Sequence, residues 1–198
     1  VEARTRERGF RVLQNIAAAN AGAVTHLSAA GYERVGVSQR MRAALDALPA
    51  PLDAPVRRFD LDAEGAAIHA LIDGAFGEAD DSIPLSHSTW RAETAARSEP
   101  AFRLALDDEA GLVGAAVGER WEDGVGYVAQ LAVVRHARSR GHGRALLLAL
   151  LHAFRDAGLS VAELSVAGTN APATGLYESA GMAPDFCAER WELSRSAA

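Results

Sequence analysis

Apolar and polar positions along the chain follow two periods, one typical of strands and one typical of helices. The predicted strands are Phe10–Ile16, Tyr32–Met41, Val56–Leu61, Ala101–Leu106, Leu112–Trp121, Gly126–Val134, Ser160–Ala167 and Ala183–Leu193. The predicted helices are the end of one over Arg4–Arg8, then Ala21–Ala30, Asp62–Phe76 with Asp62 as its cap, Ser86–Ser98, Arg144–Ala157 and Pro172–Ala180. From Val56 onward this order predicts one α/β (α+β) unit with several antiparallel strands.

A proline-rich stretch divides the chain. Leu48–Pro55 reads LPAPLDAP, and three prolines so close together favour stiff, extended backbone. We therefore predict a first piece over residues 1–48, a linker over 49–55 and a complete domain over 56–198. The first piece has little room for a core of its own, because isolated units below about 40 residues are rarely stable.

Composition narrows the class of protein. Of the 198 residues, 49% are hydrophobic and 23% are charged, as in soluble globular proteins. A net charge of −6 disfavours nucleic acid as a partner and is compatible with a cationic substrate. The run Ala145–Phe154 is too short for a membrane span, which needs about 20 residues. The single cysteine, Cys187, indicates a reducing compartment such as the cytoplasm. Without an initiator methionine or a signal peptide, the chain is expected to begin inside a longer parent protein.

A basic, glycine-bearing turn carries the clearest chemistry. The segment Gln130–Leu151, QLAVVRHARSRGHGRALLLALL, reads as a strand, a turn with Gly141 and Gly143, and a helix. Glycines allow close approach of a ligand, and a helix N-terminus binds phosphate. The turn also contains Arg135, Arg138, Arg140 and Arg144. It matches neither the P-loop nor the dinucleotide fingerprint. The plainer alternative is that the glycines only join a strand to a helix.

A second motif follows about thirty residues later, where Asn170–Met182 reads NAPATGLYESAGM. Together, Arg138-x-x-Gly141-x-Gly143 and this segment resemble the acetyl-CoA loop and the following helix of the GNAT acetyltransferase superfamily. The resemblance covers about Val56–Leu193. It implies a mixed, mostly antiparallel sheet flanked by helices, with central strands that splay apart to receive coenzyme A.

The resemblance also implies roles for individual residues. Backbone groups of Leu131, Ala132 and Val133 would bind the pantetheine arm and the acyl carbonyl, and Asn170 would bind the pantetheine near the thioester. The pyrophosphate would lie on the N–H groups of Arg138, Ser139, Arg140, Gly141, His142, Gly143 and Arg144. Tyr177 would protonate the leaving thiolate; a tyrosine of pKa about 10 is protonated at neutral pH and can donate.

Two similar sequence segments lie 150 residues apart. The first is NAGAVTHLSAAG (Asn20–Gly31) and the second is NAPATGLYESAG (Asn170–Gly181). We interpret the first copy as the tail of another, degenerate GNAT-like domain, with Leu27 at the position of the acid. Chance similarity in an alanine-rich chain is the alternative.

The general base and the residues of the acceptor site are not decided by the sequence. The general base is not evident: Gln130 stands where many relatives have a carboxylate, and a water chain, His87 or a carboxylate of Glu78–Asp81 could serve. Asp80 and Asp81 could bind a substrate ammonium or only be solvated. Trp90 and Phe76 are candidate walls of the acceptor site, and Cys187 is expected to pack. No metal site is expected, because the histidines lack ligand spacing.

We therefore expect an acetyl-CoA-dependent N-acetyltransferase acting on a small-molecule amine by direct attack in a ternary complex. The alternative is a non-catalytic acyl-CoA-binding or regulatory module. A kinase or a dehydrogenase would lack its fingerprint. No metal, nucleic acid or membrane partner is expected. A homodimer is possible, because members of this family often pair through edge strands.

Overall fold

The structure is a computed structural model that describes residues 12–17, 20–77 and 85–193. The described strands are β1 (Val12–Ala17), β2 (Glu33–Ala44), β3 (Val56–Arg58), β4 (Arg103–Asp108), β5 (Gly111–Trp121), β6 (Val125–Val133), β7 (Val161–Ala167) and β8 (Ala183–Leu193). The described α-helices are α1 (Ala21–Ala29), α2 (Leu61–Phe76), α3 (His87–Arg97), α4 (His142–Asp156) and α5 (Ala171–Ser179). The predicted helix end over Arg4–Arg8 and the loop Glu78–Asp81 lie outside the described residues.

Contacts divide the chain into two compact units. The larger one comprises residues 42–164 and 175–183, and the smaller one comprises the described residues up to 41, from 165 to 174 and from 184 onward. Strands follow the order β7-β6-β5-β4-β3 in the larger unit and β1-β8-β2-β7 in the smaller one. β6 and β7 are parallel, whereas β1–β8, β3–β4, β4–β5 and β5–β6 are antiparallel. The predicted mixed, mostly antiparallel fold is confirmed; the division at 1–48, 49–55 and 56–198 stays a prediction.

In the larger unit, α2 and α3 pack on one face of the strands. The core on this face includes Ala105, Ala115, Val117 and Ala132 of the strands, Ile68, Leu71 and Ile72 of α2, and Trp90 of α3. Each large side chain buried in this way contributes about 1.5–3 kcal/mol relative to exposure. This layer fixes the position of β6, the strand that leads into the glycine turn.

Helix α4 covers the opposite face, where glycines replace larger residues. A Cβ added to Gly118 or Gly126 would stand 2.5 Å from the ring of Phe154. Only the missing side chains therefore let this ring lie against the strands. Phe154 is fully buried. The interpretation of Ala145–Phe154 as a buried helix is confirmed.

The start of α2 corrects the prediction. The cap is Asp60 rather than Asp62: its Oδ1 accepts hydrogen bonds from the N–H groups of Asp62 and Ala63, both at 2.8 Å. Glu64 makes the reciprocal hydrogen bond: its Oε2 accepts the N–H of Asp60 at 2.9 Å. This reciprocal arrangement satisfies donors that a helix start leaves without partners, so the helix begins at Leu61 and the preceding strand is shorter than predicted.

The doubled sequence adopts the same local structure in both places. The side-chain oxygens of Asn20 and Asn170 each accept the N–H three residues on, at 3.0 and 3.2 Å. Each helix ends before a glycine with left-handed backbone, Gly31 at φ +83° and Gly181 at φ +89°. The sequence repeat is therefore a structural repeat of cap, two-turn helix and glycine stop.

Candidate functional site

Strand β6 extends beyond its parallel pairing. Val125–Tyr127 pair with Val161–Glu163 of β7, and β6 then continues to Val133. On its other side the register with β5 shifts, so that Ala129 is an extra residue. A β-bulge of this kind bends a strand and is common beside functional sites. The parallel pairing is thus limited to three residue pairs, as splayed central strands require.

The main chain of β6 turns two amide groups away from β5. The N–H of Val134 donates to the carbonyl of Val113 at 2.9 Å, and hydrogen-bonded and non-bonded positions alternate along an antiparallel pair. The N–H groups of Leu131 and Val133 therefore point away from β5, whereas that of Ala132 points toward it. Nε of Arg138 donates to the carbonyl of Val133 at 3.0 Å, which ties the following turn to this strand.

The turn between β6 and α4 has two residues in left-handed backbone. Ser139 has φ +62° and Gly141 has φ +87°, and a Cβ on Gly141 would meet no atom within 4 Å. The residues from Arg138 to Gly141 are exposed. The predicted basic turn is therefore open to a ligand from solvent, and Gly141 is needed for its backbone conformation rather than for space.

The first turn of α4 presents backbone donors. Gly141 caps the helix without a side-chain acceptor, and the first intrahelical bond runs from the Ala145 N–H to the Gly141 carbonyl at 2.9 Å. The N–H groups of His142, Gly143 and Arg144 precede that bond, so the helix offers them no acceptor. The helix dipole adds about half a positive charge at this end. Together these groups fit the phosphates of a bound anion.

The second half of α5 packs against the same turn. A Cβ on Gly143 would lie 3.2 Å from a methyl group of Leu176. Nε and Nη2 of Arg144 donate to the carbonyl of Ser179 at 3.3 and 3.2 Å. Gly143 thus permits close helix packing, and Arg144 holds the end of α5, on which Tyr177 lies.

Tyr177 is half-buried. Burial raises the pKa of its phenol above the ordinary value, and the nearby hydroxyl of Tyr127 on β6 raises it further. The phenol therefore stays protonated at neutral pH, which is the state that a proton donor needs. The sequence analysis did not single out Tyr127, although it is the one aromatic residue of its predicted strand.

In the smaller unit, Asn170 caps α5. Its Oδ1 accepts the Ala173 N–H at 3.2 Å, so the side-chain NH₂ group is the part left to donate to a ligand. This capping role was not expected from the sequence. The predicted contact with the pantetheine arm stays a prediction.

Gln130 is held by Trp90. The indole Nε1 donates to Oε1 of Gln130 at 2.8 Å, and an indole can only donate, so the amide oxygen must face it. Gln130 therefore offers an N–H donor to its other neighbours and no base. Trp90 itself is only 2% exposed and belongs to the core, and its role as a wall of the acceptor site stays a prediction.

Two histidines lie beside Trp90. Nε2 of His69 is 3.0 Å from the carbonyl oxygen of Leu85, and the His69 ring centroid is 5.5 Å from that of His87 and 5.4 Å from that of Trp90. His87, one of the open candidates for the base, is exposed. Phe76, at the end of α2, is also exposed, at 43%. The carboxylates of Glu78–Asp81 lie outside the described residues.

Several other expectations concern the rest of the described chain. Residues 12–17, 20–77 and 85–193 contain no cluster of three or more His, Cys, Asp or Glu side chains suited to a metal ion. Cys187 is exposed rather than packed. Among the same residues, no helix has both the length and the apolar character of a membrane span.

Several solved structures of other proteins resemble this chain. The chain resembles a GCN5-related N-acetyltransferase from Sphaerobacter thermophilus, with 25% identity and a TM-score of 0.81 over 95% of this chain and 61% of that one. It thus spans about three fifths of that protein's length. A GCN5-related N-acetyltransferase from Kribbella flavida matches with 21% identity and a TM-score of 0.69 over 99% of this chain and 72% of that one.

A tandem GNAT protein from the clavulanic acid biosynthesis pathway matches with 16% identity and a TM-score of 0.69, over 100% of this chain and 69% of that one. The Kribbella flavida and tandem-protein likenesses show the fold alone. No curated protein matches the sequence. The family model for the acetyltransferase (GNAT) family matches residues 66–182, which is more than half of the chain. The chain therefore belongs to the GNAT acetyltransferase family.

Proposed function

We propose that the protein is an acetyl-CoA-dependent N-acetyltransferase that acetylates the amine of a small molecule by direct attack in a ternary complex. The observation that supports this most strongly is the first turn of α4. Its amides at His142, Gly143 and Arg144 have no intrahelical acceptor, and left-handed Gly141 and basic Arg138 and Arg140 adjoin it in an otherwise acidic chain.

The residues present fit a coenzyme A thioester. The first turn of α4 binds the pyrophosphate, and the N–H groups of Leu131 and Val133 bind the pantetheine arm and the acyl oxygen. A donor aimed at an oxygen that gains negative charge is typically worth about 3–4 kcal/mol in the transition state. Tyr177 gives a proton to the departing sulfur. The thioester supplies an activated acetyl group, so the chain needs no nucleophile of its own.

Calorimetric titration with acetyl-CoA and desulfo-CoA tests the binding site. We expect saturable binding at one site per chain, weakened at least tenfold by Gly141→Ala. Gly158→Ala is the matched control: Gly158 also has left-handed backbone, φ +81°, with no atom within 4 Å of an added Cβ, but it lies at the other end of α4. Equal affinity of both variants would contradict the phosphate site.

Tyr177→Phe separates an enzyme from a module that only binds acyl-CoA. An enzyme loses turnover, followed as thiol release with a panel of primary amines, and keeps its affinity for desulfo-CoA. A wild-type chain that binds acetyl-CoA but acetylates no amine in the panel would support the binding module instead.

We further propose that residues 1–48 are the remnant of a first GNAT-like domain. The matching caps at Asn20 and Asn170 and the matching glycine stops support this origin. Leu27 at the acid position makes the remnant structural. Removing residues 1–48 should lower solubility; unchanged solubility and acetyl-CoA binding would count against a structural role.

A further inference from the structure

Tyr127 and Glu163 form the last pair of the parallel ladder between β6 and β7. Their Cα atoms are partners in register, and paired residues project their side chains on the same face of a sheet. Immediately after Tyr127, β6 loses this pairing, passes its bulge at Ala129 and presents the amide of Leu131. Both residues belong to the larger unit. The pair thus stands where the proposed acyl-binding part of β6 begins.

Glu163 is an unusual residue for this place, because it is a buried carboxylate. Burying a carboxylate is costly unless charges or hydrogen bonds compensate it. Nε of Arg42 on β2 lies 3.3 Å from Oε1 of Glu163, while the Arg42 side chain is itself 44% exposed. This ion pair compensates part of the cost of burying the Glu163 carboxylate.

Tyr127 also has an aromatic neighbour. The ring of Trp121 stacks on it, with centroids 4.0 Å apart and planes 11° from parallel. Burial raises the pKa of the Tyr177 phenol, and the Tyr127 hydroxyl raises it further. Tyr127 is therefore the register partner of a buried carboxylate and lies on the strand that leads to Leu131.

We propose that Glu163 is the general base that takes the proton of the attacking amine, and that Tyr127 is a positioning residue beside Glu163. This inference rests on the proposed acetyltransferase function. It supplies the base that the sequence left open and that Gln130 cannot provide.

The proton balance closes between Glu163 and Tyr177. As the C–N bond forms and the C–S bond breaks, Glu163 takes one N–H proton of the amine and Tyr177 gives its hydroxyl proton to the sulfur. Glu163 is then neutral and Tyr177 is charged. Return of one proton from Glu163 to Tyr177 restores both groups, with no other reactant consumed.

Glu119 is a second carboxylate beside Tyr127 and can be compared with Glu163. It is the register partner of Tyr127 on β5, so Tyr127 has a carboxylate on each side. Oε2 of Glu119 accepts from the Trp121 indole at 3.2 Å, and Glu119 lies on the side away from β7. Only Glu163 lies on the side toward which Leu131 directs its amide.

The test compares Glu163→Gln with Glu119→Gln in the full chain. Activity is followed as thiol release from acetyl-CoA with a weakly basic aromatic amine, so that ionisation of the acceptor does not shape the acid side of the pH profile. For Glu163→Gln we expect kcat to fall on the order of 10²–10⁴-fold. The affinity for desulfo-CoA should stay within about twofold, and the decline of kcat/KM in acid should disappear. Arg42, which pairs with Glu163, and Tyr127, its register partner, are both unchanged in this variant.

For Glu119→Gln we expect kcat within about threefold of wild type and an unchanged pH profile. Wild-type turnover in Glu163→Gln, or an equal loss in both variants, overturns the inference while the acetyltransferase function stands. A wild-type chain that binds acetyl-CoA but acetylates no amine overturns both.

If Glu163→Gln loses desulfo-CoA binding because it does not fold, Glu163→Asp decides the matter. A carboxylate withdrawn by one methylene should lower kcat at least tenfold and keep the decline of kcat/KM in acid. Wild-type kcat in Glu163→Asp overturns the inference. Tyr127→Phe, with the ring retained, should lower kcat without changing the KM for acetyl-CoA; an effect on KM alone overturns its positioning role.

Discussion

Asn20 and Asn170 make the same hydrogen bond at two places 150 residues apart in the chain. Each side-chain oxygen accepts the N–H of the alanine three positions on, at 3.0 Å in the first case and 3.2 Å in the second. Each bond satisfies a donor that the helix start would leave without a partner. Capping explains both asparagines, but only the second precedes a helix that carries a tyrosine.

The two caps can be separated by function. Asn20→Ala and Asn170→Ala should each lower the free energy of unfolding by about 1 kcal/mol, because each removes one capping bond. Only Asn170→Ala should also weaken acetyl-CoA binding. Urea unfolding and calorimetric titration of both variants measure the two effects. Equal acetyl-CoA affinity in the two variants would reduce Asn170 to a cap alone.

Gly126 and Gly74 should respond in opposite directions to the same substitution. Gly126→Ala places a methyl group 2.5 Å from the Phe154 ring and should cost about 1–3 kcal/mol. Gly74 lies in α2, and no atom lies within 4 Å of a Cβ added to it. Gly74→Ala should therefore raise the free energy of unfolding by about 0.4–1 kcal/mol. Thermal unfolding of both variants checks this. A stable Gly126→Ala would mean that α4 shifts readily away from the strands.

The bond between Trp90 and Gln130 can be tested by changing its acceptor. Gln130→Met keeps the length of the side chain but leaves the buried indole N–H without a partner, which should cost about 1–3 kcal/mol. Gln130→Glu retains an acceptor oxygen and should lose less. Urea unfolding at neutral pH gives both values. A smaller loss in Gln130→Met than in Gln130→Glu would show that the indole finds another partner.

Tyr177 should make the protein sensitive to alkali. Its pKa in the folded state lies above the ordinary value of 10.0, so the unfolded chain loses the proton first as the pH rises. The associated stability is complete below about pH 10 and is lost as the pH rises from there through the folded-state pKa. Tyr177→Phe should remove this part of the alkaline decline in unfolding free energy.

The same ionisation offers a second measurement. Tyr127→Phe removes one of the two causes of the raised pKa, so tyrosinate absorbance should show Tyr177 ionising at lower pH. An unchanged titration would mean that burial alone sets the pKa of Tyr177.

Local signals in the sequence accounted for most of the elements. The apolar run Ala145–Phe154 predicted the buried helix α4, and the turn residues around Gly141 predicted its start within two residues. These signals act over a few neighbouring residues, so they can be read along the chain. The start of α2 was misplaced, because Asp60 and Asp62 are both good caps and the reciprocal bond with Glu64 decided between them.

The sequence by itself determined the family resemblance, the glycine turn and the repeated cap, because each depends on residue types at fixed spacing. The tertiary structure decided which side chains meet across strands and helices. Tyr127 is 36 positions from its register partner Glu163, and Trp90 is 40 from Gln130. Such pairs depend on strand register and on the packing of distant elements, and a one-residue slip of a strand would turn every one of its side chains to the other face.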